Sequence, residues 1–431
     1  MKKLKSLFFP TILALAFGLM LSCAKSSEDN INDTVADTND TIDEGVANTN
    51  DNLEGFLEDN NDTALDLYDP LYGGGSSNSA CNNSKAFIVG TAQTEKCSST
   101  DCPESKIVIW DVCGGGTSVM GEAGFWGVVD AASHNNLIYI AVQSDKAGFY
   151  WIVGADNKIE KHQLNNQDIL NEVTGIAVNS IGDVYVAGIV IKDKKYLNAY
   201  WKNGELVKTF TEKNDGGPAE YHIAADSKGN VYVPGWRMKS HSVTNASYWK
   251  NGVRKDLTST YDGETTDVVV SGTKVYFSGN HGKYCDIPCP IKGGIVAAYW
   301  QLGKGMTKVI KAKTSGIKAK WLMRSSASSI HVEGSTVYMA GTIEGDIPVY
   351  WKNKRHRELQ VECELDNAGL IDWWTCIAPE PIDIKLLDGH VLVAGNYTSP
   401  SFKAVYWLDK KLYKLCESCF ESYAVALVVI D

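Results

Sequence analysis

The chain lacks the short sequences around which many enzyme centres are built. It has no Gly-x-Ser-x-Gly turn for a nucleophilic serine, no His-Glu-x-x-His pair for zinc, no phosphate-cradling loop and no dinucleotide fingerprint. No cofactor or metal is therefore expected. Basic character is missing too: 41 Lys and Arg face 52 Asp and Glu, with no cationic stripe, which removes the electrostatic footprint of a nucleic-acid binder. Helical periodicity is nearly absent.

What is present is repetition. An apolar pair ending in Trp recurs seven times, as Ile109-Trp110, Tyr150-Trp151, Tyr200-Trp201, Tyr248-Trp249, Tyr299-Trp300, Tyr350-Trp351 and Tyr406-Trp407. Each follows a second apolar run: Ala86 to Gly90, Leu137 to Ala141, Val184 to Gly188, Val231 to Gly235, Val275 to Gly279, Val337 to Gly341 and Val391 to Gly395. A period of roughly 50 residues built from short alternating strands predicts an all-β, seven-bladed β-propeller, because a small sheet buries both faces only when neighbouring sheets pack on it.

One unit reads through as strand a from Thr174 to Asn179, strand b from Val184 to Gly188, strand c from Asn198 to Lys202 and strand d from Glu205 to Phe210. The turn at Ser180-Ile181-Gly182-Asp183 joins a to b, and Asn203-Gly204 joins c to d. This layout resembles propellers of the NHL-repeat kind, a resemblance that covers residues 86 to 431 and implies fold only. Ser-x-Asp-x-Gly-x-x-Trp boxes of the sialidase kind are absent. The first unit begins at strand b, and Ala424 to Ile430 has the character of strand a. The two ends are expected to share one blade and close the ring. The a–b and c–d turns are tight and fall on one rim, the bottom. The b–c and d–a connections vary, with 21 residues from Gly279 to Trp300 but 10 from Gly341 to Trp351, and define the top rim, where recognition is expected.

Upstream of the propeller, Lys2, Lys3 and Lys5 precede an apolar stretch from Leu7 to Leu21, the pattern of a secretory signal. Leu19-Met20-Leu21-Ser22-Cys23 resembles the lipobox of bacterial lipoproteins, although Leu and Met stand where small residues are usual. The resemblance implies a signal peptide over 1–22, lipid attachment (diacylglyceryl and palmitate) at Cys23, and a cell-envelope, membrane-anchored protein. Ala24 after the cysteine implies the outer membrane in a Gram-negative cell. Residues 23–80 form an acidic, disordered tether with Asn-Asp-Thr at 32, 39 and 61. The net charge of −11 divides as +3 in the signal, −13 in the tether and −1 in the propeller, residues 81–431. A monomer is expected.

Ten cysteines remain after Cys23. Their rim positions and an exported location predict pairs Cys81 with Cys113, Cys97 with Cys102, Cys285 with Cys289, Cys363 with Cys376 and Cys416 with Cys419. A redox role for Cys416-Glu417-Ser418-Cys419 is an alternative, without the helix start that usually depresses a thiol pKa.

Strand a lines a propeller's channel. Aligned on Ile176, the inner strands place His222, Asp267 and Asp383 near the top mouth and Asp130, His331 and Lys385 one step deeper. Such a cluster suits structural hydrogen bonding, cation binding or acid–base chemistry. Around the mouth the candidate ligand rim comprises Trp126, Glu220, Tyr221, Glu264, Arg324, Trp373, Trp374 and Tyr423, together with Phe125, Glu172 and Glu421; aromatics beside carboxylates suit sugar faces, cations or peptides. Three function classes stay open. The first is a binder of a protein or glycan partner through the top rim. The second is a carbohydrate- or lactone-active hydrolase or lyase at the channel mouth. The third is a structural envelope protein.

Overall fold

The computed structural model describes residues 81–93, 105–120, 125–144, 147–154, 158–165, 169–210, 222–240, 243–258, 262–282, 295–308, 325–343, 347–362, 378–397, 402–416 and 419–430. The expected signal, Cys23 and the tether lie outside these residues, as do Cys97, Cys102, Cys285, Cys289, Cys363 and Cys376.

Twenty-eight strands form seven antiparallel four-stranded sheets. Six blades are consecutive in sequence. The first is composite: Lys85–Gln93, Lys106–Asp111 and Thr117–Met120 are completed by Glu421–Ile430 on the inside. That pairing runs from Lys85 against Ile430 to Gln93 against Glu421, with one bulge at Val425, so the ring is closed by the last strand, as the ends of the sequence predict. Blade 3 has inner strand Ile169–Val178, then Val184–Lys192, Lys195–Lys202 and Glu205–Phe210. Its c–d turn places Asn203 at φ 50° and Gly204 at φ 86°, the left-handed pair that two-residue hairpins require. The Asn203 side chain also accepts from Val184 N at 2.8 Å, tying the turn to the start of strand b, and Asn251, Asn353 and Asp409 do the same in blades 4, 6 and 7.

No single core exists. The apolar residues group into seven clusters, one per blade interface. Trp201 packs with Tyr139, Ala141 and Tyr150 of the preceding blade, Trp249 with Tyr185, Ala187 and Tyr200, and Trp407 with Tyr338, Ala340 and Tyr350. All seven Trp are 2 % exposed or less, so their recurrence reflects inter-blade packing. The strand-b glycine belongs to the same device. A Cβ on Gly341 would lie 2.0 Å from the Ser326 carbonyl oxygen, and one on Gly395 would lie 2.6 Å from the Trp407 ring.

Two of the expected disulfides are seen, Cys81–Cys113 and Cys416–Cys419. Where the chain enters the propeller, Asp388 in the a–b turn of blade 7 accepts from Asn82 N, Asn83 N and Ser84 N at 2.8, 2.9 and 3.2 Å. These backbone donors hold its carboxyl down at about 2. Among the described residues no helix is long and apolar enough to cross a membrane.

Candidate functional site: the central channel and its mouth

In six blades the inner strand carries a bulge at the same height; in blade 4 the described pairing covers Ala224 and Ala225 alone and stops short of it. In blade 6, Ala327 pairs with Gly341 and Ser329 with Ala340, which leaves Ser328 unpaired; the same skip occurs in blades 1, 2, 3, 5 and 7. A bulge re-aims the side chains beside it. Those hydroxyls reach the next blade: Ser328 Oγ donates to Pro381 O at 2.7 Å, and Thr266 Oγ1 donates to Ala327 O at 2.7 Å. Sequence reasoning missed both, because a bulge has no compositional signature.

The bulge also corrects the depth expected for Asp130. In the pairing with strand b, Asp130 faces Ala141, just as Asp267 faces Ser278 and Asp383 faces Ala394. Asp130 therefore shares a layer with His222, Asp267 and Asp383 rather than lying one step deeper. The sequence alignment slipped by one because Val142 occupies the place that glycine takes in the other described blades. His331 and Lys385 keep their deeper register positions, two residues beyond Ser329 and Asp383.

These residues line one central channel of about 280 Å³, together with Ile176, Ile330 and Leu427. Each aspartate bridges two blades. Asp130 accepts from Ala131 N at 2.8 Å and from Ile176 N of the next blade at 2.9 Å. Asp267 accepts from Val268 N at 2.6 Å and Ile330 N at 2.8 Å, and Asp383 from Ile384 N at 2.7 Å and Leu427 N at 2.9 Å. Ser329 Oγ stands 2.9 Å from Asp267 Oδ2 and 2.8 Å from Asp383 Oδ1, so its one proton is shared between two acceptors. His222 Nδ1 lies 3.3 Å from Asp267 Oδ1, and Lys385 Nζ 2.8 Å from Asp383 Oδ1.

Electrostatics differ around the ring. Burial pushes the Asp130 carboxyl up to about 7, against the pull of His222 and the Ile176 amide. Burial acts in the same sense on Asp383, but Lys385 beside it, together with the Leu427 amide and the Ser329 hydroxyl, outweighs the effect and holds this carboxyl below its ordinary value. Lys385 is likewise raised in spite of burial, by Asp383 first and then by Asp267. Burial, reinforced by Lys385, drives His331 down to about 4, leaving it neutral at pH 7. The arrangement joins blades with carboxylate oxygens already occupied by backbone N–H groups. Among the described residues no group of three or more His, Cys, Asp or Glu is disposed to hold a metal ion.

Of the expected ligand rim, Glu172, Glu264, Glu421 and Tyr423 have described side chains. Glu264 Oε1 accepts from Asn280 Nδ2 at 2.8 Å, and burial raises its pKa. Tyr423 stacks on Phe402 with centroids 4.4 Å apart, and burial pushes its hydroxyl up to about 12. Glu264 is thus held within its own blade, whereas Tyr423 of blade 1 leans on blade 7. Glu220, Tyr221, Arg324, Trp373 and Trp374 lie outside the described residues, as does the Trp126 side chain.

No family model and no curated protein matches the chain. Among solved structures it is similar to the β-propeller domain of the Trilobed protease from Pyrococcus furiosus, with 9% identity and a TM-score of 0.48, over 78% of this chain and 93% of that one. It is also similar to a protein from Lactobacillus plantarum (14%, TM-score 0.41, 80% and 100%) and to virginiamycin B lyase from Staphylococcus aureus (12%, TM-score 0.37, 67% and 83%). Likenesses this distant say nothing of what this chain binds or converts.

Proposed function

We propose that this protein is a lipid-anchored propeller of the cell envelope that captures a protein or glycan partner through its top rim. The supporting observation is the division of its connections. Bottom-rim turns such as Asn135-Asn136 and Asn203-Gly204 are two residues long, whereas connections on the opposite rim run from Gly282 to Val296 and from Glu358 to Glu380. Long connections on a rigid scaffold are where recognition is placed. Binding is favoured over hydrolysis because a general acid or base needs a free valence aimed at substrate, and the Asp267 and Asp383 oxygens are engaged by amides of two blades each.

A thermal-shift screen of the mature chain against glycans and metal ions tests the capture, since a ligand that binds only the folded state raises Tm. Trp373→Ala with Trp374→Ala should abolish the shift and leave the ligand-free Tm within about 1 °C, the change a surface substitution produces. Retained affinity in that variant would rule out the top rim at these positions. Anchoring is tested separately: the mature protein should partition into detergent, and Cys23→Ser should make it water-soluble.

A further inference from the structure

The b–c hairpins of blades 3 and 4 are neighbours on the top rim and carry most of its described cationic charge. Residues 188–199 and 235–247 contain Lys192, Lys194, Lys195, Arg237 and Lys239 against Asp193 alone. The corresponding connection in blade 6, residues 342–348, contains Glu344 and Asp346 and no Lys or Arg, so the positive charge is not a property of every blade.

Two features of the blade 3 hairpin run against its own stability. Lys192 and Lys195 are directly opposed in register, and like charges across a strand pair repel. Between them Asp193 and Lys194 turn with φ 50° and 62°, a conformation that favours Asn-Gly and penalises a lysine at the second place. Local rules broken together in this way mark a position retained for function. Next in sequence, Tyr196 is 68 % exposed, and alternation sets it on the face toward blade 4, where Arg237 of the neighbouring hairpin faces back and is ion-paired with Asp256 of its own blade at 3.4 Å.

We infer that the paired hairpins of blades 3 and 4 dock an anionic glycan, a chain of sugars bearing carboxylates. This rests on the top-rim reading and names its partner. Lys194 and Lys195 pair with the carboxylates, and the exposed phenol ring presents an apolar face to a pyranose. An acidic peptide fits less well: the other large apolar side chain exposed on these hairpins is Met238, which leaves no apolar pocket to seat side chains. A lipid surface fits less well because the chain enters the propeller beside Cys81 and Asp388, on the opposite rim.

The test uses residues 23–431 carrying Cys23→Ser, with polygalacturonate as probe and dextran, polyglutamate and phosphatidylglycerol vesicles as comparators. Polygalacturonate should bind, with affinity falling as salt is raised. Lys194→Gly with Lys195→Thr removes charge, relieves the Lys192 opposition and suits the turn, so Tm should hold or rise while affinity falls about tenfold, a loss of about 1.4 kcal/mol. Tyr196→Ser should weaken binding comparably. The inference is overturned if polygalacturonate fails to bind, if the hairpin variants bind it as the parent does, or if polyglutamate or vesicles bind equally and Tyr196→Ser has no effect. Normal binding by the hairpin variants, with loss in the Trp373 and Trp374 variant, would leave the top-rim reading standing and remove the hairpins from it.

Discussion

Two rings run through this propeller, and they obey different rules. The outer ring is seven Trp, one per blade, each doing the same packing against the blade before it. The inner ring, at the height of the bulge, is Ala426, Asp130, Gly175, His222, Asp267, Ser329 and Asp383, with no residue type common to all. Apolar burial is non-directional, so one side chain repeated at a fixed position satisfies every interface. Hydrogen bonding is directional, and one aspartate serves two blades, so three suffice for bridges from blade 2 to 3, 5 to 6 and 7 to 1.

The most severe way to break this comparison is to remove an element that both rings need. Deleting Glu421–Ile430 takes away the partner of Lys85–Gln93 and the Leu427 amide that Asp383 grips. Two sheet edges are then exposed, and aggregation or loss of a cooperative melting transition is expected by light scattering and calorimetry. Next comes the outer ring alone: Trp201→Ala should cost about 3 to 5 kcal/mol in denaturant unfolding. Asp383→Ala attacks the inner ring and should cost about 2 kcal/mol, the order expected when buried donors lose their acceptor. A loss equal to that of the Trp variant would mean that the two rings share the stability more evenly than their chemistry implies.

The inner ring can also be probed by pH. Asp130 titrates at about 7 in the fold and near 3.8 when unfolded, so its contribution is full below about 4 and is lost as pH rises through 7. His331 acts oppositely: its folded pKa of about 4 lies below 6.5, so its contribution is present above 6.5 and is lost as pH falls through 4. Asp130→Asn removes the first and keeps the second. Its Tm relative to the parent should rise between pH 4 and pH 7; a difference that is flat with pH would show that Asp130 is not held protonated.

The two rings also explain what the sequence disclosed. Blade number, the Trp positions, the closing strand and the pairs Cys81–Cys113 and Cys416–Cys419 were legible, because period and rim geometry are written directly into spacing. The depth of Asp130 was not. Its blade has Val142 where others have glycine, and the unpaired bulge residue offsets the spacing along strand a by one. The interblade donors Thr266 and Ser328 were hidden for the same reason. Nor was the hairpin charge of blades 3 and 4 visible as a cluster, since Lys194 and Arg237 are separated in sequence by a whole repeat.

The order of the chain gives the closing strand one more consequence. Glu421–Ile430 follows every other strand of the ring, yet its partner Lys85–Gln93 is the first of them to emerge during synthesis. Blade 1 must therefore wait with an open edge while six others form, and the contact that ends the wait spans nearly the whole propeller sequence. Contacts of such separation are slow to form. The interval between the first strand and the last is the window in which this protein is most exposed to wrong pairing, and Asp388 and the Cys81–Cys113 bond sit beside the strand that does the waiting.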